Sequence, residues 1–116
     1  MFTFEKLEVY QEALRLALAI YKITKSFPGN EAFGLVSQLR RAAVSISLNI
    51  AEGSSRGKKE FAHFLDMARG SCYELIPLIF ISRDLGYINK PQSQALYERV
   101  DNLARRVSAL KKSVNR

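Results

Sequence analysis

Apolar residues return every three or four positions through almost all of this 116-residue chain, and only three short breaks interrupt them. That period belongs to the α-helix. No stretch alternates as a half-buried strand does. The breaks fall at Phe27 to Asn30, at Ser54 to Gly57 and just after Gly86. Pro28, Gly29, Gly57 and Gly86 are residues at which helices stop. The pattern predicts one all-α domain over residues 1–116, with helices over about 4–26, 31–52, 58–85 and 90–114. Connections this short favour antiparallel neighbours, so the expected architecture is an up-down-up-down four-helix bundle.

The first helix carries more apolar surface than a bundle needs. Leu7, Tyr10, Leu14, Ala17 and Tyr21 form one seam, and Val9, Ala13, Leu16, Ile20 and Ile23 form a second. Together they span an arc of about 200°, against the ~100° of an ordinary surface helix. Glu8, Gln11, Glu12, Arg15 and Lys22 fill the remaining wedge. Part of this helix is therefore expected to face another subunit.

The second helix holds the most informative run, QLRRAAVSISLNIAEG over residues 38–53. Asn30 is the expected N-cap, and the helix is expected to end around Glu52 and Gly53. At 100° per residue, Glu31, Gln38, Arg41, Ser45, Asn49 and Glu52 share one narrow sector. Leu35, Leu39, Ala42, Ala43, Ile46 and Ile50 lie opposite. Gln, Ser and Asn suit paired hydrogen bonds better than free hydration, so the stripe is expected to meet another helix, a subunit or a ligand. Arg41 has Glu52 or a carboxylate of the third helix as its expected partner, while Arg40 points to the side of Phe33, Val44 and Ala51.

The third helix begins near Lys58, with Glu60 placed to return a hydrogen bond to its start. Phe61, Phe64, Leu65, Ala68, Cys72, Leu75 and Ile79 make its core seam. A second stripe of Glu60, His63, Met67, Ser71 and Glu74 resembles the polar face of the second helix and is expected to oppose it. Gly70 and Ser71 are small enough for a close backbone approach there. Pro77 is expected to kink the helix, and Leu78 to Ile81, apolar all round, to be buried on more than one side. Gly86 then reads as a C-cap. Asn89 and Gln92 mark a new helix start, followed by a seam of Leu96, Val100, Leu103, Val107, Leu110 and Val114.

Composition narrows the function. No apolar run approaches the ~20 residues of a membrane span, and the N-terminus lacks the pattern of a secretory signal. One cysteine forms no internal disulfide and fits a reducing cytoplasm; at the core angle of its helix, it reads as a buried structural thiol. A single histidine excludes a His-based metal triad. Glu60 to His63 matches the Glu-x-x-His of di-metal bundles, but that motif must occur twice. Gly53 to Gly57 lacks the spacing and the Lys of a P-loop. No enzyme, metal or cofactor is expected.

A net charge of +7 and a pI near 9.8 favour polyanions through counterion release. Two cation clusters stand out. Arg56, Lys58 and Lys59 lie where a loop meets a helix N-terminus, which suits either a bound phosphate or a solvated loop. From Arg99 to Arg116 six cations face one acid: Arg105, Lys112 and Arg116 align opposite the apolar seam, and Arg99, Arg106 and Lys111 flank it. Compensation of the helix dipole accounts for two such charges, not six.

Three stretches, FEKLEVYQEALRLALAIYKITKSFP, QLRRAAVSISLNIAEG and KKEFAHFLDMARGSCYEL, resemble the bacterial 23S ribosomal RNA intervening-sequence protein family. That family is similar in turn to the accessory variability protein of diversity-generating retroelements. The resemblance covers nearly the whole chain. It implies a four-helix bundle assembled as a homopentamer and, from the retroelement relatives, contact with nucleic acid and with a reverse transcriptase. Tyr10, Ser47, Gly57 and Ile76-Pro77 depart from the family's usual Trp, Pro, Ser and Glu-containing pattern. The expected function is non-enzymatic, oligomeric binding of an RNA or DNA backbone. The alternative is a protein-protein assembly module whose charge serves solubility.

Overall fold

The computed structural model describes residues 1–115. A 3₁₀ turn at Thr3–Lys6 precedes α1 (Glu8–Thr24), a second at Gly29–Glu31 precedes α2 (Leu35–Ser54), and α3 (Lys58–Asp84) and α4 (Lys90–Val114) complete the chain. Each helix packs on its neighbours in sequence, and α4 returns against α1. The diagonal pairs, α1 with α3 and α2 with α4, do not approach one another among the described residues. The result is a square four-helix bundle measuring 44 × 22 × 20 Å.

Each helix buries the stripe that its period predicts. Leu16 and Ile20 of α1, Leu39, Ile46 and Ile50 of α2, Leu65, Leu75 and Ile79 of α3, and Val100 and Val107 of α4 are almost wholly removed from solvent. The two seams of α1 are buried unequally, and Leu18, outside both, is the most exposed apolar residue of the helix. Val9, Ala13, Leu16 and Ile20 point inward, whereas Leu14, Leu18 and Tyr21 stay exposed, Leu18 at 71%. The apolar run on α3 behaves similarly: Ile79 is buried, but Phe80 and Ile81 remain open to solvent. Burial of that run on several sides is not achieved within one chain.

The helix ends sort local signals from tertiary ones. Asn89 caps α4 as its sequence predicts, its side chain accepting from the Gln92 amide at 2.8 Å while Gln92 returns the bond at 2.9 Å. Gly86, at φ +81°, closes α3. The amides of Gly86 and Tyr87 reach back to Arg83 and Ser82, a Schellman arrangement that needs a left-handed residue.

The start of α2 differs from expectation. Residues 29–31 form the 3₁₀ turn, Asn30 caps nothing, and the helix begins four residues later at Leu35. Glu31 takes over the capping role, its Oε1 accepting from the Leu35 amide at 3.4 Å. A Cβ on Gly34 would lie 3.0 Å from that oxygen, so the glycine leaves room for the carboxylate. The first helix also starts later than its apolar pattern suggests, because Leu7 is extended. Glu60 does not cap α3, which starts from Gly57 without a side-chain bond. Pro77 cannot donate to the Tyr73 carbonyl, yet α3 continues through it to Asp84.

Gly53 ends nothing. It is buried inside α2, and a Cβ there would lie 2.5 Å from Cβ of Phe64. The helix runs one residue further, to Ser54. Gly70, the expected site of close approach, has nothing within 4 Å of its missing side chain. Close approach of α2 to α3 occurs instead at Gly53, and Ser71 bonds Ser45 across the pair.

Candidate nucleic-acid interface

Three groups of polar side chains lie on the bundle surface, and the fold treats each differently. The first is the stripe along α2. Asn49 donates to the backbone oxygen and to Oγ of Ser45 at 2.9 and 3.0 Å. Ser71 of α3 donates to the same Oγ at 2.9 Å. Of the rest of the α3 stripe, Glu60, His63 and Met67 are exposed, while Glu74 is exposed but borders the α2 stripe across a groove, and only Ser71 is buried. Packing Gly53 against Phe61 and Phe64 turns the apolar seam of α3 inward and its polar stripe away, because burying an aromatic side chain outweighs burying a neutral polar one. His63 sits on the surface, edge-on to Phe64. Gln38, Arg41, Ser45 and Glu74 border an open groove of about 600 Å³ with Pro77, Leu78 and Ile81.

Glu52 does not hold Arg41. It pairs with Arg56 at 2.5 Å, and Arg56 also reaches Glu60 at 3.1 Å. The three residues lie four apart and bridge the α2–α3 loop. Hydrogen bonding to Glu52 fixes the proton on Arg56 more firmly still. The guanidinium also lies over the Phe64 ring, 5.3 Å from its centroid. Arg56 is thus engaged by two surface carboxylates and an aromatic ring. Lys58 and Lys59 are exposed beside it and belong to no ion pair among the described residues. Glu31, far from this stripe, accepts from the Tyr87 hydroxyl at 2.9 Å and ties the start of α2 to the α3–α4 connection.

The α4 cations divide between two flanks. Arg99 and Arg106 border a groove facing α1, where Arg106 pairs with Glu8 at 2.5 Å. Arg105 and Lys112 border a groove of about 650 Å³ facing α3. Arg105 pairs with Asp101 at 3.2 Å, and Lys111 bridges to Asp66 of α3 at 2.8 Å. Arg99 and Lys112 stand outside the ion pairs of the described residues. Arg116 lies outside the described residues. Exposed pairs of this kind contribute at most about 1 kcal/mol each, so their cations exchange readily onto another anion.

Two residues of the α3-side groove escaped the sequence reading. Arg69 lies over the Tyr73 ring at 4.8 Å and donates to its hydroxyl at 2.7 Å, while Tyr73 stays 59% exposed. Their four-residue spacing on a helix was the available signal. Cys72 lines the same groove, yet it is wholly buried, and burial pushes its thiol up to about 12. Arg40, which the sequence places on the side of Phe33, Val44 and Ala51, finds partners on α1 that its own helix could not disclose: its Nε donates to Thr24 Oγ1 at 3.0 Å and its guanidinium lies over Tyr21 at 4.5 Å. It fastens α2 to the end of α1.

Among the described residues, no three His, Cys, Asp or Glu side chains gather as a metal site. No helix of the described residues is long and apolar enough to cross a membrane.

The family model described as 23S rRNA-intervening sequence protein matches residues 5–109. In fold, the chain is similar to a crystal structure from Bacteroides thetaiotaomicron VPI-5482, described as a protein of unknown function from the S23 ribosomal protein family. The TM-score is 0.82 and the identity 20%, with 90% of this chain and 98% of that one covered. At that identity the likeness concerns the fold. None of the curated proteins compared matches the chain.

Proposed function

The chain belongs to the 23S rRNA-intervening sequence protein family, and from that premise we propose that it is a non-enzymatic, oligomeric protein that binds the backbone of RNA or DNA. The observation that carries this reading is a surplus of +7 that surface carboxylates leave uncompensated. Lys58, Lys59, Arg99 and Lys112 face solvent at several points around the bundle, and the paired Arg105, Arg106 and Lys111 are held only by exchangeable surface contacts. Phosphates replacing condensed counterions would bind such a surface with modest affinity, little sequence preference and a steep dependence on salt.

Titrating labelled random RNA and duplex DNA at ~50 and ~200 mM salt tests the reading. Affinity should fall by at least tenfold between the two. No binding at the lower salt, or binding indifferent to salt, would instead favour an assembly module whose partner is a protein, such as a reverse transcriptase. One observation supports assembly in either case: Leu14 and Leu18 on α1 stay exposed beside Tyr21, whose ring Arg40 covers on one face. We propose that copies of the chain cover these side chains, in a homopentamer or a ring of similar size. The buried thiol of Cys72 suits a reducing cytoplasm. Light scattering at micromolar concentration would overturn assembly if it returned the mass of a monomer.

A further inference from the structure

We infer that the groove between α3 and α4 takes single-stranded nucleic acid, with a base stacked on the Arg69–Tyr73 pair and neighbouring phosphates on Arg105 and Lys112. The inference rests on the nucleic-acid reading above and adds what form the ligand takes and where it lies.

The groove has a structural cause. Ala104, Ser108 and Ala109 on α4 are too small to fill the space beside α3, which leaves an open channel of about 650 Å³. Its floor includes Ile76 and Ala104. Its rim carries three cations, Arg69, Arg105 and Lys112, against one carboxylate, Asp101, which Arg105 already engages. A channel with an apolar floor and a cationic rim matches a chain of flat rings joined by phosphates.

Tyr73 is what separates this channel from a general basic surface. Phosphate contact alone gives no role to an aromatic ring that is 59% exposed. The other tyrosine of the channel, Tyr97, is already stacked on Phe80, with centroids 5.9 Å apart and planes 13° from parallel. Tyr73 has no aromatic partner among the described residues. Arg69 holds it through both the ring face and the hydroxyl, so ring and guanidinium are ordered together before a ligand arrives. Bases stack on tyrosine rings and on guanidinium planes alike. In a duplex the bases are stacked on each other, and a cylinder of that width cannot enter a furrow between helices packed ~10 Å apart. A single strand offers both an unstacked base and a flexible backbone.

Fluorescence anisotropy tests this with two probes at ~50 mM salt: a labelled oligouridylate of about 12 nucleotides and a duplex of similar length. Tyr73→Ala should weaken oligouridylate binding about tenfold and leave the duplex within about twofold. Tyr73→Phe should restore single-strand binding, because it keeps the ring. Lys112→Glu should weaken both probes. Circular dichroism confirms that the exposed substitutions leave the fold intact. If Tyr73→Ala changes neither probe, or weakens both equally, the stacking groove is wrong although the backbone-binding reading stands. If the unsubstituted protein binds neither probe, both are wrong.

Discussion

The α2–α3 hairpin and helix α1 are built from the same kinds of residue, but the loop end of the hairpin is closed tightly within one chain, whereas α1 is held more loosely. Across the hairpin, Gly53 lets α2 press onto Phe64, Ser71 bonds Ser45, and Glu52, Arg56 and Glu60 span a loop of only Ser55 to Gly57. Helix α1 leans on α2 and touches α4 more sparingly. Leu14 and Leu18 on its outer side face water, and two long side chains, Arg40 and Arg106, reach over to hold it. Tight packing fixes the first region. The second keeps apolar surface in reserve for a partner.

The contrast is open to test, beginning with the substitution of largest effect. Gly53→Val should destabilise by about 3 kcal/mol or more, since the new Cβ meets a ring-bearing backbone position rather than a flexible tip. A urea denaturation midpoint measures the loss. Alkaline pH should strain the same hairpin next. The folded Cys72 thiol keeps its proton up to about 12, whereas the unfolded thiol loses it near its ordinary value. The native state then binds more protons, and stability falls by about 1 kcal/mol per pH unit across that window. Cys72→Ala should flatten this slope in denaturation midpoints taken between neutral and strongly alkaline pH. A smaller fall should persist in that variant, because bonding to Glu31 also raises the Tyr87 phenol.

On the α1 side, Arg40→Ala should cost about 1 kcal/mol through loss of a hydrogen bond and a cation–π contact. Leu18→Ser should change monomer stability least, by less than about 0.5 kcal/mol. Its effect should appear in sedimentation as a smaller assembly. A large loss of folding stability would instead make Leu18 part of the bundle's own packing.

The fold was legible because helix period and helix breakers are local properties. So was the Asn89–Gln92 cap, whose two partners lie three residues apart. The start of α2 was not, because its capping group belongs to Glu31, in the preceding turn, and works only beside Gly34. Gly53 and Gly70 read alike as letters, and only the packing of Phe61 and Phe64 decides which of them admits another helix. In the candidate site, the sequence suggests Glu52 as a partner of Arg41, although the four-residue spacing of Glu52, Arg56 and Glu60 carries the signal for the pairing that forms. The partners of Arg106 and Lys111 were not readable, since Glu8 and Asp66 lie 98 and 45 residues away. Such contacts exist only once the bundle closes.

The square arrangement of helices also orders the birth of the molecule. Every helix pair except α1 with α4 joins sequence neighbours, so each new helix leaving the ribosome finds the previous one waiting, and little loop entropy is lost along the way. The seam between the first helix and the last is the final join. Until α4 packs, the chain is a three-sided trough with its inner wall uncovered, and docking of α4 onto α3 and α1 is what closes it.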